Sequence, residues 1–177
     1  TDAHKWLNVP YDCGVAIVRH AEDHRAAMTS TAAYLIQTGG AERDAVDWCP
    51  EFSRRARGIP VHAALRALGR DGVEALVDRC CAHAKRFASL LAAEPGVRVL
   101  NDVVLNQVLV RFDDDDQATR DVVTGVQRDG TCWVSGTTWH GLAAMRISVS
   151  NWATSDDDVL ASVAAMLRVH RHRQGGD

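Results

Sequence analysis

The strongest constraint on the fold is a hydrophobic period that changes repeatedly through the second half of the chain. Over residues 71–93, Val73, Leu76, Val77, Cys80, Ala84, Phe87, Leu90 and Leu91 recur at helical spacing. Asp71 stands where an N-cap belongs, and Pro95-Gly96 ends the run. Two short β-branched runs follow, VRVL at 97–100 and VLNQVLVRF at 104–112, with Asn101-Asp102 as the turn between them. After an acidic loop, Asp113–Asp116, the pattern predicts a helix over Gln117–Gln127 and strands over 132–135 and 143–150. A closing amphipathic helix over 155–169 starts at a Ser155 cap and carries Val159, Leu160, Val163, Met166 and Leu167. This order gives an α+β domain: a small, mostly antiparallel sheet with helices on one side. Trp133, Trp139 and Trp152 are expected to pack within it. The tail HRHRQGGD has no period and should fray, with His170 and His172 merely solubilising.

The first 70 residues are less regular. Residues 1–12 read as a loop containing Lys5 and Pro10, and CGVAIVR at 13–19 as a buried strand. A short helix is expected near Glu22–Met28. Residues 29–52 are irregular, with Gly39-Gly40 as a breaker, and such a stretch in a compact domain is usually a functional loop or disorder. SRRARGIPVHAALRALG at 53–69 suggests a capped helix start, a break at Pro60, and a helix ending at Gly69. This region cannot form a domain alone. The chain also opens on Thr1 and a polar stretch, so the protein is expected to begin upstream.

Composition narrows the function. A net charge of −3 over 177 residues provides no basic field for a phosphate backbone, which argues against nucleic-acid binding. No apolar run approaches the ~20 residues of a membrane span. The five cysteines are odd in number and two are adjacent, which fits reduced thiols in a cytoplasm better than a disulfide framework.

Most candidate constellations have an ordinary explanation. His20 and His24 stand at i and i+4, a zinc-gripping spacing, but no third ligand lies beside them. Cys80-Cys81-Ala82-His83 cannot turn every side chain inward from one helix and reads as core. The four aspartates at 113–116 lack the spaced ligands and glycine of a calcium loop. No metal site is expected. Lys5 is different. Between His4 and Trp6, just before an apolar run, it is either a solvated surface lysine or an amine held in a pocket. Desolvation would make the latter a competent Schiff-base nucleophile.

Asp2-Ala3-His4-Lys5-Trp6-Leu7 resembles the lysine motif of the group II pyridoxal-phosphate-dependent amino acid decarboxylases, which act on aromatic amino acids, histidine, glutamate and diaminobutyrate. Ser53-Arg54-Arg55-Ala56-Arg57 and Met145-Arg146-Ile147-Ser148 resemble two later stretches of that family, in the same order. The resemblance implies an α/β fold of the fold-type I class. Residues 1–70 would complete a large cofactor domain, with the lysine and a mobile loop, and residues 71–177 would form the small α+β domain. It implies pyridoxal 5'-phosphate as cofactor, covalently held by Lys5, with His4 and Asp2 near its phosphate. Tyr34 would be a loop tyrosine that protonates the substrate carbon after carbon dioxide leaves; its ordinary alternative is a buried tyrosine with a satisfied hydroxyl. Arg146 would meet the substrate carboxylate or else pair at the domain seam. Arg54, Arg55 and Arg57 would be structural. The implied enzyme is a cytoplasmic homodimer acting on an amino acid as a small-molecule substrate, with no nucleic-acid or membrane partner. The family's ring-nitrogen aspartate and ring-stacking side chain match nothing in these 177 residues, so the chain alone is expected to be inactive. An aminotransferase, an aldehyde-forming decarboxylase and an inert α+β interaction module remain as alternatives.

Overall fold

A computed structural model describes residues 1–30, 32–34 and 43–175; Gly39 and Gly40 lie outside them. The elements in chain order are α1 (Ala3–Trp6), α2 (Ala21–Met28), a 3-10 turn (Ala45–Asp47), α3 (Gly58–Ala92), β1 (Val97–Val99), β2 (Gln107–Phe112), α4 (Asp116–Asp129), β3 (Ser135–Trp139), β4 (Leu142–Ser148) and α5 (Asp156–Gln174).

The four strands form one antiparallel sheet in the order β1-β2-β4-β3. Register explains the core. Val108 faces Ile147 and Val110 faces Met145 across β2 and β4. These residues and Phe112 alternate with others along their strands, so they share one face. They pack with Leu76, Cys80, Ala84, Phe87 and Leu91 of α3, Val122 and Val126 of α4, and Val159, Val163 and Met166 of α5. The expected α+β architecture therefore holds. The opposite face of β2 buries Arg111, whose guanidinium reaches Asp114, Asp116 and the Ala143 carbonyl. Those bonds offset the cost of taking the charge out of water and tie the acidic loop to the sheet.

Helix ends follow local chemistry. Asp115 caps α4 through Ala118 N–H, and Ser155 with Asp158 forms a complete capping box on α5. Asn101 makes the β1–β2 turn, accepting from Leu109 N–H and donating to the Gln107 carbonyl. The strand after it starts at Gln107 rather than 104, leaving Val104 and Leu105 exposed.

Several expectations change. Residues 13–19 are not a buried strand: they make one isolated bridge, Asp2 to Gly14, and Ile17 is 92% exposed. An apolar, β-branched run indicates burial only where a neighbouring strand covers it, and no described residue does. Helix α3 starts at Gly58, so Pro60 lies in its first turn, where a missing N–H costs nothing. The break comes instead at Gly69, whose φ of 64° interrupts the helix. Asp71, expected as an N-cap, lies inside α3 two residues past the Gly69 break and makes no capping bond among the described residues. Strand β3 occupies 135–139, not 132–135. The C-terminal tail does not fray: α5 continues to Gln174 and buries His170, which is 3% exposed, against Phe112 and Asp113. Trp133, Trp139 and Trp152 are all exposed rather than packed.

Among the described residues, no helix is long and apolar enough to cross a membrane. All five cysteines are free thiols. Cys80 is the core residue expected, and burial pushes its thiol pKa up.

Candidate active site

Lys5 lies in the single turn α1. The turn's own backbone bonds are long: Lys5 N–H to the Asp2 carbonyl at 3.3 Å and Leu7 N–H to the Ala3 carbonyl at 3.2 Å. Isolated turns of this length are not stable by themselves. Residues 13–15 run back beside this one and support it. Ala3 N–H donates to the Cys13 carbonyl at 3.0 Å, and Thr1 and Val15 exchange bonds of 2.8 Å. Ala3, Val9 and Cys13 form a small apolar cluster against Leu7, Val61 and Ala64, and Trp6 packs on the main core.

The three polar side chains of this turn have distinct surroundings. His4 Nδ1 lies 3.0 Å from Cys13 N–H, from which it can accept, and 3.2 Å from the Cys13 carbonyl, to which it can donate, so Cys13 fixes the ring in either tautomer. The edge of the ring meets Tyr11 with centroids 4.5 Å apart. Lys5 Nζ donates to Asp2 Oδ2 at 2.5 Å, and its side chain is 65% exposed. That bond holds the Asp2 carboxyl below the usual carboxylate range. Lys5 is thus not enclosed in a pocket by the described residues. Its ammonium is open to solvent and paired with a carboxylate.

The other candidates are dispersed. Tyr34 is 82% exposed in a turn in this chain. The segment containing it leaves α2 and returns at the 3-10 turn. Buried Asp47 clamps that base, accepting Arg25 Nε and Nη2 at 3.0 and 2.7 Å and the Thr29 hydroxyl at 3.2 Å. Arg146 projects from β4 with Nε bonded to Ser135 Oγ at 3.2 Å. Among the described residues, neither Tyr34 nor Arg146 is hydrogen-bonded to Lys5. Arg57 is structural as expected: it pairs with Asp12 at 3.0 Å and Glu51 at 3.7 Å, and holds the Asp12 carboxyl low. His24 of the His20/His24 pair turns edge-on to Trp48.

A model of the pyridoxal-dependent decarboxylase conserved domain matches residues 1–113, from the lysine turn through the first two strands. The chain belongs to the pyridoxal-dependent decarboxylase family. L-2,4-diaminobutyrate decarboxylase of Rhizobium meliloti (strain 1021) is 30% identical over 114 residues, 63% of this chain and 23% of that protein. Aromatic-L-amino-acid decarboxylase of Mus musculus is 28% identical over 112 residues, 62% of this chain and 23% of the relative. The chain therefore spans about a quarter of the length of these relatives. Oryza sativa TDC, solved with PLP and tryptamine, superposes with a TM-score of 0.86 at 20% identity, over 97% of this chain and 38% of its own. That likeness establishes the fold, in keeping with the fold-type I expectation.

Within this decarboxylase family fold, the donor set at the lysine turn fits pyridoxal phosphate. An accessible primary amine suits its aldehyde, and an imidazole fixed beside that amine by Cys13 suits an anion. Two polar residues escaped the sequence reading: Asn8, which meets the turn from behind, and Asp47. The one local signal for Asn8 is its residue type, since Asn tolerates the left-handed backbone it adopts, φ 50°.

Proposed function

We propose that this chain carries the lysine-bearing part of a pyridoxal 5'-phosphate-dependent carboxy-lyase, which removes the α-carboxylate of an L-amino acid as carbon dioxide and leaves an amine. The observation that carries the reading is Lys5 itself: an exposed amine in the His4-Lys5 turn, inside the segment matched by the family model. Residues 1–70 would complete the cofactor domain and 71–177 form the small domain, and the break at Gly69 supports that boundary.

Bound pyridoxal phosphate supplies an electron sink for the pair left by the departing carboxylate. The chain's own residues do the rest. Lys5 is the point of covalent attachment and keeps the group in place between turnovers. In the unmodified protein Asp2 holds the Lys5 ammonium, so that contact must part and the ammonium lose a proton before the nitrogen can attack an aldehyde. His4, its ring fixed by Cys13, turns its other nitrogen, Nε2, outward to meet an anion when that nitrogen carries a proton, where Asp2 also lines the turn. The Tyr34 phenol is exposed and can donate a proton at the substrate α-carbon while its ring helps exclude water. Only Nε of Arg146 is committed among the described residues, to Ser135, so the outer fork can meet a carboxylate.

The reading includes a homodimer, supported by exposed apolar side chains at Ile17, Ile59 and Leu65, and a cytoplasmic setting, supported by the free thiols. The test is release of carbon dioxide and amine from a panel of L-amino acids by the complete protein, with and without added pyridoxal phosphate. Cofactor-dependent release is expected. Release independent of the cofactor, or none from any amino acid, overturns the reading; aldehyde in place of amine would favour the aldehyde-forming alternative.

A further inference from the structure

We infer that Asn8 is a positioning residue for Lys5, fixing the lysine turn to the connection between β4 and α5. The inference rests on the reading of Lys5 as the attachment lysine.

Every hydrogen-bonding site of the Asn8 amide group except one oxygen lone pair is used. Nδ2 donates to the Lys5 carbonyl at 2.8 Å and to the Ser150 carbonyl at 2.7 Å. Oδ1 accepts from Trp152 N–H at 2.6 Å. A single side chain thus joins α1 to backbone 142 and 144 residues away. Its left-handed backbone is what turns the amide toward both segments.

The far side of this staple is itself anchored. Arg79 Nη2 donates to the Trp152 carbonyl at 3.2 Å, and His83 Nε2 lies 3.0 Å from the Thr154 carbonyl, both from α3. Asn151 Oδ1 accepts Ala153 N–H at 2.9 Å within the connection. A four-residue turn with long internal bonds is therefore referred to the main core by one polar clamp, together with the apolar packing of Trp6. Replacing the amide frees the Lys5 carbonyl and lets the turn pivot on Trp6. Lys5 Nζ then samples a wider volume and meets a bound aldehyde in the right geometry less often.

Two variants separate the side chain from the backbone. Asn8→Gly keeps φ near 50° without strain and deletes all three bonds. Asn8→Asp keeps the acceptor for Trp152 but sets an oxygen against the Lys5 and Ser150 carbonyls. The complete protein, free of cofactor, is followed by amide hydrogen exchange at residues 3–8 and 150–153. It is then mixed with pyridoxal phosphate and quenched with borohydride over time, to give the rate at which Lys5 is labelled. In the parent, the Trp152 amide should exchange slowly although its side chain is exposed. In Asn8→Gly, that exchange and the exchange of α1 should quicken about tenfold, and Lys5 labelling should slow about tenfold, with the melting temperature little changed. Asn8→Asp should slow labelling at least as much while sparing part of the Trp152 protection.

Fast exchange at Trp152 in the parent overturns the clamp, and needs no variant to fold. Parent-like labelling rates in both variants overturn the positioning role while leaving Lys5 as the attachment site. Failure of the parent to label at Lys5 overturns the reading of Lys5 instead, and the exchange data still decide the clamp.

Discussion

Gly125 offers a test in which two effects of known size oppose each other. It lies inside α4, where glycine costs about 1 kcal/mol relative to alanine. On propensity alone, Gly125→Ala should stabilise the protein by that amount. A Cβ at this position, however, would sit 2.4 Å from Val169 Cγ1 on α5. Carbon pairs prefer about 3.5–4.0 Å, so the overlap exceeds an ångström. Val169 cannot easily swing away, because β-branched side chains in helices keep essentially one rotamer. Overpacking of this kind costs about 1–3 kcal/mol. The net expectation is a loss of up to about 2 kcal/mol, or a melting temperature lower by roughly 2–4 °C per kcal/mol in a chain of this size. The sign should reverse once the obstacle is removed: in a Val169→Ala background, Gly125→Ala should regain most of its ~1 kcal/mol helix advantage. Thermal unfolding followed by circular dichroism on the four proteins closes the cycle. A rise in melting temperature for Gly125→Ala in the parent would refute the packing argument, because it would mean that α4 and α5 do not approach this closely.

Two further outcomes are expected. The Asp116 carboxyl is held below the usual carboxylate range, first by the Arg111 hydrogen bond and then by Ala143 N–H, and Asp114 likewise by Arg98 and Arg111. Because these folded-state values are depressed, their stabilisation is present at neutral pH and lost as pH falls below about 4 toward the folded values; melting curves against pH should show this, and Asp116→Asn should lower stability at pH 7 and flatten the acid limb. Tyr34→Phe keeps the ring and removes the donor, so amine formation by the complete protein should fall by roughly two orders of magnitude or more with cofactor attachment unchanged; an unchanged rate would assign the proton to another group.

What the sequence disclosed and what it hid divide along physical lines. Periodicity located the helices and strands β1, β2 and β4 of the sheet-and-helix half, because Leu76 through Leu91 and Val108, Val110 and Phe112 each follow the period their structure requires, whereas β3 lies three residues beyond its expected place. Ser155 with Asp158 marked a helix start for the same local reason. The lysine turn was visible as a motif. Misreadings arose where the deciding partner is distant. The run 13–19 has strand composition without a covering neighbour. His170 looked like a charged tail residue because Asp113, its partner, lies 57 positions earlier. Pro60 signalled a break, but a first-turn proline is tolerated; the helix end expected at Gly69 does occur there, at its positive φ. Asn8 could not be assigned a task from spacing, since two of its three bonds end 142 and 144 residues away. Lys5 was read within a loop, either solvated or held in a pocket; the structure sets it instead in the single helical turn α1, in the open beside Asp2.

The central claim is that Lys5 is the amine to which the cofactor attaches. The chain contains one other lysine, Lys85, exposed on α3. The complete protein should be loaded with pyridoxal phosphate, reduced with borohydride, digested, and its labelled peptide sequenced by mass spectrometry. The pyridoxyl group is expected on Lys5, in the peptide containing His4 and Trp6, with loss of that label in Lys5→Ala. A label on Lys85, or one that persists undiminished in Lys5→Ala, would contradict it.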